Sequence, residues 1–239
     1  MRLFALSLAL SILGLAQDSN SAISATYDPA FQFWRLSNGV LEAQFRLDRQ
    51  QGFFALDTLR HLPSAAAWRR PIGRAATPVD VAFRDGSRLE FNTEYLLLEQ
   101  FSEPIPRNGV RQVIRLAEAA GNFEVTIHLE LYPNEPVLRH RAFLKNRRSQ
   151  SAWIRNVNLT PWNFADNSDA FTSFHVNQWV IVPREANFEP VETSLTPEGI
   201  PVVLNTGSGG VHCSWLVVRG RDQRGLFAGL EFNGRATMQ

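Results

Sequence analysis

Apolar and polar side chains alternate along much of the chain, with the period of two that is typical of β-strands. Residues 122–132 show this most clearly, and residues 41–48 and 79–84 repeat it. The apolar face of the first segment consists of Phe123, Val125, Ile127, Leu129 and Leu131. Such alternation indicates antiparallel strands that turn one face to a core and the other to solvent.

Similar patterns predict further strands at 52–59, 94–101, 110–117, 137–145, 153–159, 178–182, 202–204, 213–218 and 225–235. Turn-forming residues separate them, and Asp85-Gly86 between two short strands is typical of a tight hairpin. No segment has the apolar stripe of a surface helix. The prediction is an all-β fold. Since few places offer a domain boundary, one large two-sheet antiparallel β-sandwich is favoured over two domains.

The start of the chain has a different pattern. Met1-Arg2 is positively charged, residues 3–16 are apolar, and Gly14 and Ala16 provide the small residues that a signal peptidase reads. The apolar run is short for a membrane span. We therefore expect a signal peptide at 1–16, a linker at 17–29, a β-domain at 30–239, and a secreted or periplasmic protein that binds no membrane.

Charge and cysteine content exclude some functions. Without residues 1–16 the chain of 239 residues keeps 23 basic and 23 acidic side chains, and this balance argues against a nucleic-acid partner. Cys213 is the only cysteine, so no intrachain disulfide can form, and we interpret it as a buried apolar residue. Histidine pairs with metal-ligand spacing are absent from the sequence, so we predict no metal site and no cofactor.

Residues 162–200 are rich in aromatic and polar side chains and are expected to form a long loop region on the sandwich. Aromatic faces stack on pyranose rings, and amides form hydrogen bonds to sugar hydroxyls. Trp162, Asn163 and Trp179 are therefore candidate carbohydrate-binding residues. The alternative for each ring is packing at the edge of the sandwich.

Two longer motifs and one turn resemble a known family. The motifs are YPNEPVLRHR at 132–141, followed by LKN at 144–146, and HCSWLVV at 212–218, which leads into GLFAGLEFNGR at 225–235. Together with the strand start at Asn38-Gly39, they resemble the N-terminal β-supersandwich of glycoside hydrolase family 36, the α-galactosidases or melibiases. This fold is galactose-mutarotase-like. The resemblance spans residues 30–237.

The resemblance implies a role without catalysis for this chain. In that family a (β/α)₈ barrel follows the sandwich and carries both carboxylates for retaining hydrolysis. This chain has no alternation of strands and helices, so we expect the N-terminal domain of an exported hydrolase of α-galactosides without its C-terminal catalytic barrel. No catalytic residue is assigned.

A pocket-bordering element also follows from the resemblance. Family members border the active-site pocket with a loop of this domain, often across a subunit contact. Trp68 and Arg69, placed on a loop before Val79, resemble such an element. Carbohydrate and a second copy of the chain are the partners that this implies.

Two other functions stay open. One is a stand-alone secreted carbohydrate-binding β-sandwich protein, for which the aromatic candidates above would suffice. The other is an aldose-epimerase-like enzyme, which needs an acid and a base, commonly a histidine with a carboxylate. His128 and His140 lie on predicted strands, where a single histidine is more often structural.

Overall fold

The computed structural model describes residues 23–48, 53–71, 77–91, 93–158, 171–178, 188–196, 202–206, 212–220, 225–231 and 236–238. Regular structure in these ranges consists of β-strands. None of them contains a helix of the length and apolarity needed to cross a membrane. The predicted signal peptide, residues 1–16, lies outside the described part of the chain.

The described residues form eighteen strands. They are β1 (Ser24–Asp28), β2 (Phe33–Ser37), β3 (Leu41–Asp48), β4 (Phe53–His61), β5 (Ala66–Arg69), β6 (Asp80–Phe83), β7 (Arg88–Leu89), β8 (Tyr95–Ile105), β9 (Gly109–Glu118), β10 (Phe123–Leu131), β11 (Leu138–Asn146), β12 (Ile154–Asn158), β13 (Phe171–Gln178), β14 (Phe188–Leu195), β15 (Leu204–Thr206), β16 (Trp215–Gly220), β17 (Gly225–Gly229) and β18 (Ala236–Met238).

Hydrogen bonds join these strands into five sheets, with the orders β1–β2–β3–β4–β5, β11–β10–β9–β8, β12–β6–β7, β14–β13–β16–β17 and β15–β18. The predicted all-β, antiparallel class is confirmed. The strands do not form two continuous sheets, however, because small sheets are arranged in a ring similar to a four-bladed propeller. Alternation along a strand indicates its buried face but not its neighbours, so the sequence pattern did not define the number of sheets.

A single apolar core joins three of the sheets. The five alternating apolar residues of β10 are each 3% exposed or less and lie at its centre. Trp34 and Phe45 reach it from the first sheet, and Phe83 of β6 stacks on Phe123 with ring centroids 4.6 Å apart. Burial of each large apolar side chain contributes about 1.5–3 kcal/mol relative to exposure.

Three regions differ from the sequence prediction. Strand β1 lies within residues 17–29, which were expected to be a linker, and pairs with β2 along its whole length. Trp68 and Arg69 belong to β5 rather than to a loop. The sequence did not predict this strand because four residues are too few to show alternation. Residues 162–200 contain β13 and β14, which pair with each other. Strand β13 escapes detection because Ser173 and His175 point inward while Phe174 points outward.

The hairpin predicted at Asp85-Gly86 is present between β6 and β7. Gly86 has a φ of 86°, a conformation that glycine adopts without the strain of a Cβ. The Asp85 carboxylate accepts hydrogen bonds from the Ser87 hydroxyl and backbone N–H, and these lower the pKa of Asp85 to about 2. The turn is therefore held by its own side chains.

Candidate functional site

The solvent face of the sheet β14–β13–β16–β17 carries a row of apolar side chains. Phe174 of β13 lies opposite Val217 of β16, and Val217 lies opposite Phe227 of β17. Residues paired across strands point to the same face, so these three form a row across the sheet. Trp215 lies two residues from Val217 on the same face. We call Phe174, Trp215, Val217 and Phe227 the aromatic strip.

The three rings of the aromatic strip are close neighbours with Trp215 in the middle. Its ring centroid lies 6.1 Å from that of Phe174, at an interplanar angle of 33°, and 6.1 Å from that of Phe227, at 25°. Phe174 is 38% exposed and Phe227 is 64% exposed. Trp215 is half-buried, so the two phenylalanine rings beside it provide most of the apolar surface that is open to solvent.

Glycines of β17 keep this surface flat. Gly229 lies opposite Trp215, and a Cβ at position 229 would be 3.1 Å from Cε1 of Phe227. The missing side chain therefore leaves room for the Phe227 ring beside the indole. Gly225, on the same face, is exposed and adds no side chain to the border of the strip.

The charged side chains that flank the aromatic strip neutralise each other. Glu192 lies opposite Phe174, and its carboxylate is 3.1 Å from the Arg219 guanidinium. They are the only charged residues at the described strand positions of this face. Phe188, 68% exposed, lies on the same face at the start of β14. The face therefore offers exposed rings beside a neutral polar pair.

The opposite face of the sheet is partly buried, and its buried part carries Ser173 and His175. His175 is 5% exposed, and its ring centroid lies 5.9 Å from that of His212. Burial, followed by the neighbouring His212, lowers the pKa of His175. Nδ1 of His212 accepts a hydrogen bond of 3.0 Å from the backbone N–H of Asn205. His212 therefore ties β13 to the segment 202–206.

Cys213 is buried, as the sequence predicted, at 2% exposure. Its Sγ accepts the backbone N–H of Val176 at 3.3 Å and donates to the carbonyl of Trp215 at 3.1 Å. The thiol thus forms hydrogen bonds with one backbone group of β13 and one of β16. In the described residues no three histidine, cysteine, aspartate or glutamate side chains are grouped so as to hold a metal ion.

Buried carboxylates lie on the outer face of the sheet β11–β10–β9–β8. Glu130 is 1% exposed and accepts hydrogen bonds from Arg111, with a shortest N–O distance of 2.8 Å. Glu124, 8% exposed, lies 2.8 Å from Arg147. Six residues along a strand separate the two carboxylates by about 20 Å. Retaining glycoside hydrolysis needs two carboxyl groups about 5–5.5 Å apart, so Glu124 and Glu130 do not fit that chemistry.

The predicted site residues are only partly described. Trp68 is half-buried and stacks on Phe171, with ring centroids 5.6 Å apart. Arg69 is exposed, and as the next residue of β5 it points to the other face. The structure therefore does not bring these two side chains together. Trp162, Asn163 and Trp179 lie outside the described residues, and their roles remain predictions.

Sequence reasoning did not identify the aromatic strip as a unit. Side chains alternate along a strand, so Phe227 points away from the face of Leu226 and Ala228. The sequence therefore predicted that Phe227 points outward. Phe174 and Trp215 carry no such signal because β13 turns polar residues inward. The strip also depends on which strands pair, and local patterns do not provide that information.

Solved structures resemble this chain although the sequence comparisons gave no match. No protein-family model matches it, and no curated protein matches it. The galactosidase domain of the α-galactosidase-sucrose kinase AgaSK is similar with a TM-score of 0.59 at 9% identity, over 83% of this chain and 33% of that one. A second similar structure is the α-galactosidase from Lactobacillus brevis, with a TM-score of 0.58 at 10% identity, over 82% and 32%.

The GH36 α-galactosidase AgaB from Geobacillus stearothermophilus gives a TM-score of 0.53 at 12% identity, over 83% of this chain and 32% of that one. Identity at this level establishes similarity of fold alone. The chain spans about a third of the length of these proteins. The β fold described above is therefore one that α-galactosidases also contain.

Proposed function

We propose that this chain is a non-catalytic, N-terminal β-supersandwich domain of an exported α-galactosidase-like glycoside hydrolase. The observation that carries the proposal is the shared fold, which covers four fifths of this chain and a third of the α-galactosidases compared. In such a protein a catalytic barrel supplies the remaining length and the two reacting carboxylates.

Contact between the distant motifs supports the proposal. The turn that contains Asn38 and the turn that contains Tyr132 and Glu135 belong to separate parts of the family resemblance. The Asn38 side chain nevertheless donates hydrogen bonds to the carbonyls of both other residues, at 2.6 and 2.7 Å. These motif residues therefore have a common structural role in joining two sheets, as expected of a scaffold domain.

The substrate of the whole protein would be an α-galactoside. The domain would support the barrel, and Trp162, Asn163 and Trp179 would contact the sugar. Trp68 and Arg69 would border the pocket, with a second copy of the chain completing it. Export to the periplasm or the exterior would follow from the signal peptide.

The epimerase alternative gains nothing from the strand histidines. His128 contacts Phe143 at the outer face of the sheet, with ring centroids 4.7 Å apart and the ring planes tilted by 53°. His140 lies opposite Leu129 on the inner face. Because the two point to opposite faces, they do not form an acid–base pair.

The coding DNA beyond the codon for Gln239 tests the proposal. An open reading frame that continues into alternating strands and helices is the expected result, and the longer product should hydrolyse an aryl α-galactoside. The 239-residue chain alone should not. A stop codon directly after Gln239, or clear turnover by the chain alone, would overturn the proposal.

A further inference from the structure

We propose that the aromatic strip binds a neutral, galactose-containing polysaccharide by stacking sugar rings on Phe174, Trp215 and Phe227. The assignment of this face to a glycan comes from its geometry and charge. The choice of galactose rests on the proposed function. None of the residues of the strip is among the binding candidates predicted from the sequence.

The chemistry of sugars matches the shape of the aromatic strip. A pyranose ring has a flat face of C–H groups and a rim of hydroxyls. An exposed aromatic ring covers such a face while the hydroxyls stay in water or find polar partners. The strip provides three neighbouring rings on one strand surface. Gly225 and Gly229 add no side chain on the β17 side, while Glu192 and Arg219 lie beside the strip.

The polar groups at the strip favour a neutral ligand. Arg219 and Glu192 pair with each other, so the described strand positions of this face carry no net charge. An anionic polymer would instead require several cations on one face. The paired guanidinium and carboxylate still have N–H groups and lone pairs that can form hydrogen bonds to sugar hydroxyls.

The exposed area is too small for a stable protein partner. An aromatic side chain buries about 150–250 Å², so the exposed fractions of Phe174, Phe188 and Phe227 amount to about 250–425 Å², to which the partly exposed Trp215 and Val217 add a smaller area. A stable protein interface needs about 800 Å² from each partner. A glycan, which contacts few side chains at a time, fits the strip better than a second copy of the chain does.

Affinity electrophoresis of the full chain in native gels containing galactomannan tests the proposal. Phe227→Ala and Trp215→Ala should each weaken retardation about tenfold in apparent dissociation constant, the loss of one stacking ring. Phe31→Ala is the matched control, because Phe31 is 73% exposed but lies in the turn before β2. It should bind like the unchanged chain. Circular dichroism and thermal unfolding identify any variant that fails to fold.

Several results would overturn the proposal. One is the absence of retardation in galactomannan, and another is unchanged retardation in folded Phe227→Ala and Trp215→Ala. A third is self-association in sedimentation velocity that Phe227→Ala abolishes, since the strip would then bind a second copy. A different result is binding to unsubstituted mannan that equals binding to galactomannan and is weakened by the same two substitutions. That result would support a glycan-binding surface but contradict the assignment of galactose. The reading frame beyond Gln239 is determined independently of these binding experiments. Evidence against the proposed function can therefore be distinguished from evidence against glycan binding by the aromatic strip.

Discussion

The side-chain amide of Asn38 donates a hydrogen bond of 2.6 Å to the backbone carbonyl of Tyr132, which lies 94 residues away. The same nitrogen donates to the carbonyl of Glu135 at 2.7 Å. Its Oδ1 accepts the backbone N–H groups of Val40 and Leu41 at 3.0 and 2.7 Å. Asn38 is fully buried. One side chain therefore closes its own turn and attaches it to the turn after β10.

Asn38→Ala should lower the free energy of unfolding by about 2–3 kcal/mol. The change removes the side-chain partner of two carbonyls and two N–H groups; the bonds to Tyr132 and Leu41 are buried, and each buried group left unsatisfied costs about 1–3 kcal/mol. Urea unfolding followed by tryptophan fluorescence measures the effect. Asn156→Ala, at an exposed position of β12, is the control and should change stability by less than about 0.5 kcal/mol. Equal effects of the two changes would show that the Asn38 bonds add no net stability.

Gly109→Ala should destabilise the same region by about 1–3 kcal/mol through overpacking. A Cβ at position 109 would lie 2.8 Å from Cγ1 of Ile105, 2.9 Å from Cδ1 of Tyr132 and 3.0 Å from the carbonyl oxygen of Leu131. Tyr132 has little freedom to move, because Arg107 and Arg139 contact its ring at 4.9 and 5.1 Å from its centroid.

The control for Gly109→Ala is a second strand glycine. A Cβ at Gly225 would have its nearest neighbour, the carbonyl oxygen of Val218, at 3.6 Å, which is ordinary contact. Gly225→Ala should therefore be neutral or slightly stabilising. Thermal unfolding of both variants measures the difference, and equal melting temperatures would contradict the close approach at Gly109.

The class of fold could be predicted from the sequence because burial on one face imposes a period of two. Strands β3, β9, β10 and β11 appear where alternation is regular. Strand β13 does not, since Ser173 and His175 are buried while Phe174 is exposed. Strands β5 and β7 are too short to carry a pattern. Tertiary contacts determine β5 and β13, for which the sequence has no local sign, whereas the turn at Asp85-Gly86 indicated β7.

The candidate site was less predictable than the fold. The sequence indicated aromatic side chains near 162–200 and placed Cys213 in the interior, but the aromatic strip requires β13, β16 and β17 to be neighbours. That order brings residues 174, 215 and 227 together. Strand order results from packing of the whole chain and not from any one segment.

Trp68 and Phe171 should contribute more to stability together than separately. Their rings lie 5.6 Å apart at an interplanar angle of 30°, and they belong to strands of two different sheets. In a double-mutant cycle with Trp68→Leu and Phe171→Leu, we expect a coupling energy of about 0.5–1.5 kcal/mol. A cycle of Phe171→Leu with Phe31→Leu should be additive. A zero coupling for Trp68 would contradict the stacked contact.

Cys213 should react with a thiol reagent only when the chain unfolds. Its side chain is buried, and Sγ forms hydrogen bonds with backbone groups of Val176 and Trp215. Reaction with Ellman's reagent should be slow in buffer and rise with urea along the unfolding curve. Because the chain has one cysteine, the absorbance reports this site alone. Rapid, complete reaction without urea would show that the thiol is open to solvent.

His140 should make the chain less stable as the pH falls. Burial on the inner face of β11 lowers the pKa of His140 from 6.5 to about 4. Between these values the unfolded chain binds more protons at this residue than the folded one. The stability present above pH 6.5 is therefore lost progressively toward pH 4, by up to about 3 kcal/mol. His128 and His175, whose pKa values are also lowered, act in the same direction.

His140→Gln tests this by removing one titrating group from the inner face. Urea unfolding at several pH values from 7 to 4 should give a shallower loss of stability for the variant than for the unchanged chain, whatever their stabilities at pH 7. Asn156→Ala, at the exposed position of β12 used above, removes no titrating group and is the control that should leave the slope as it is. The same slope in His140→Gln and the unchanged chain would show that burial of this imidazole does not couple folding to protons.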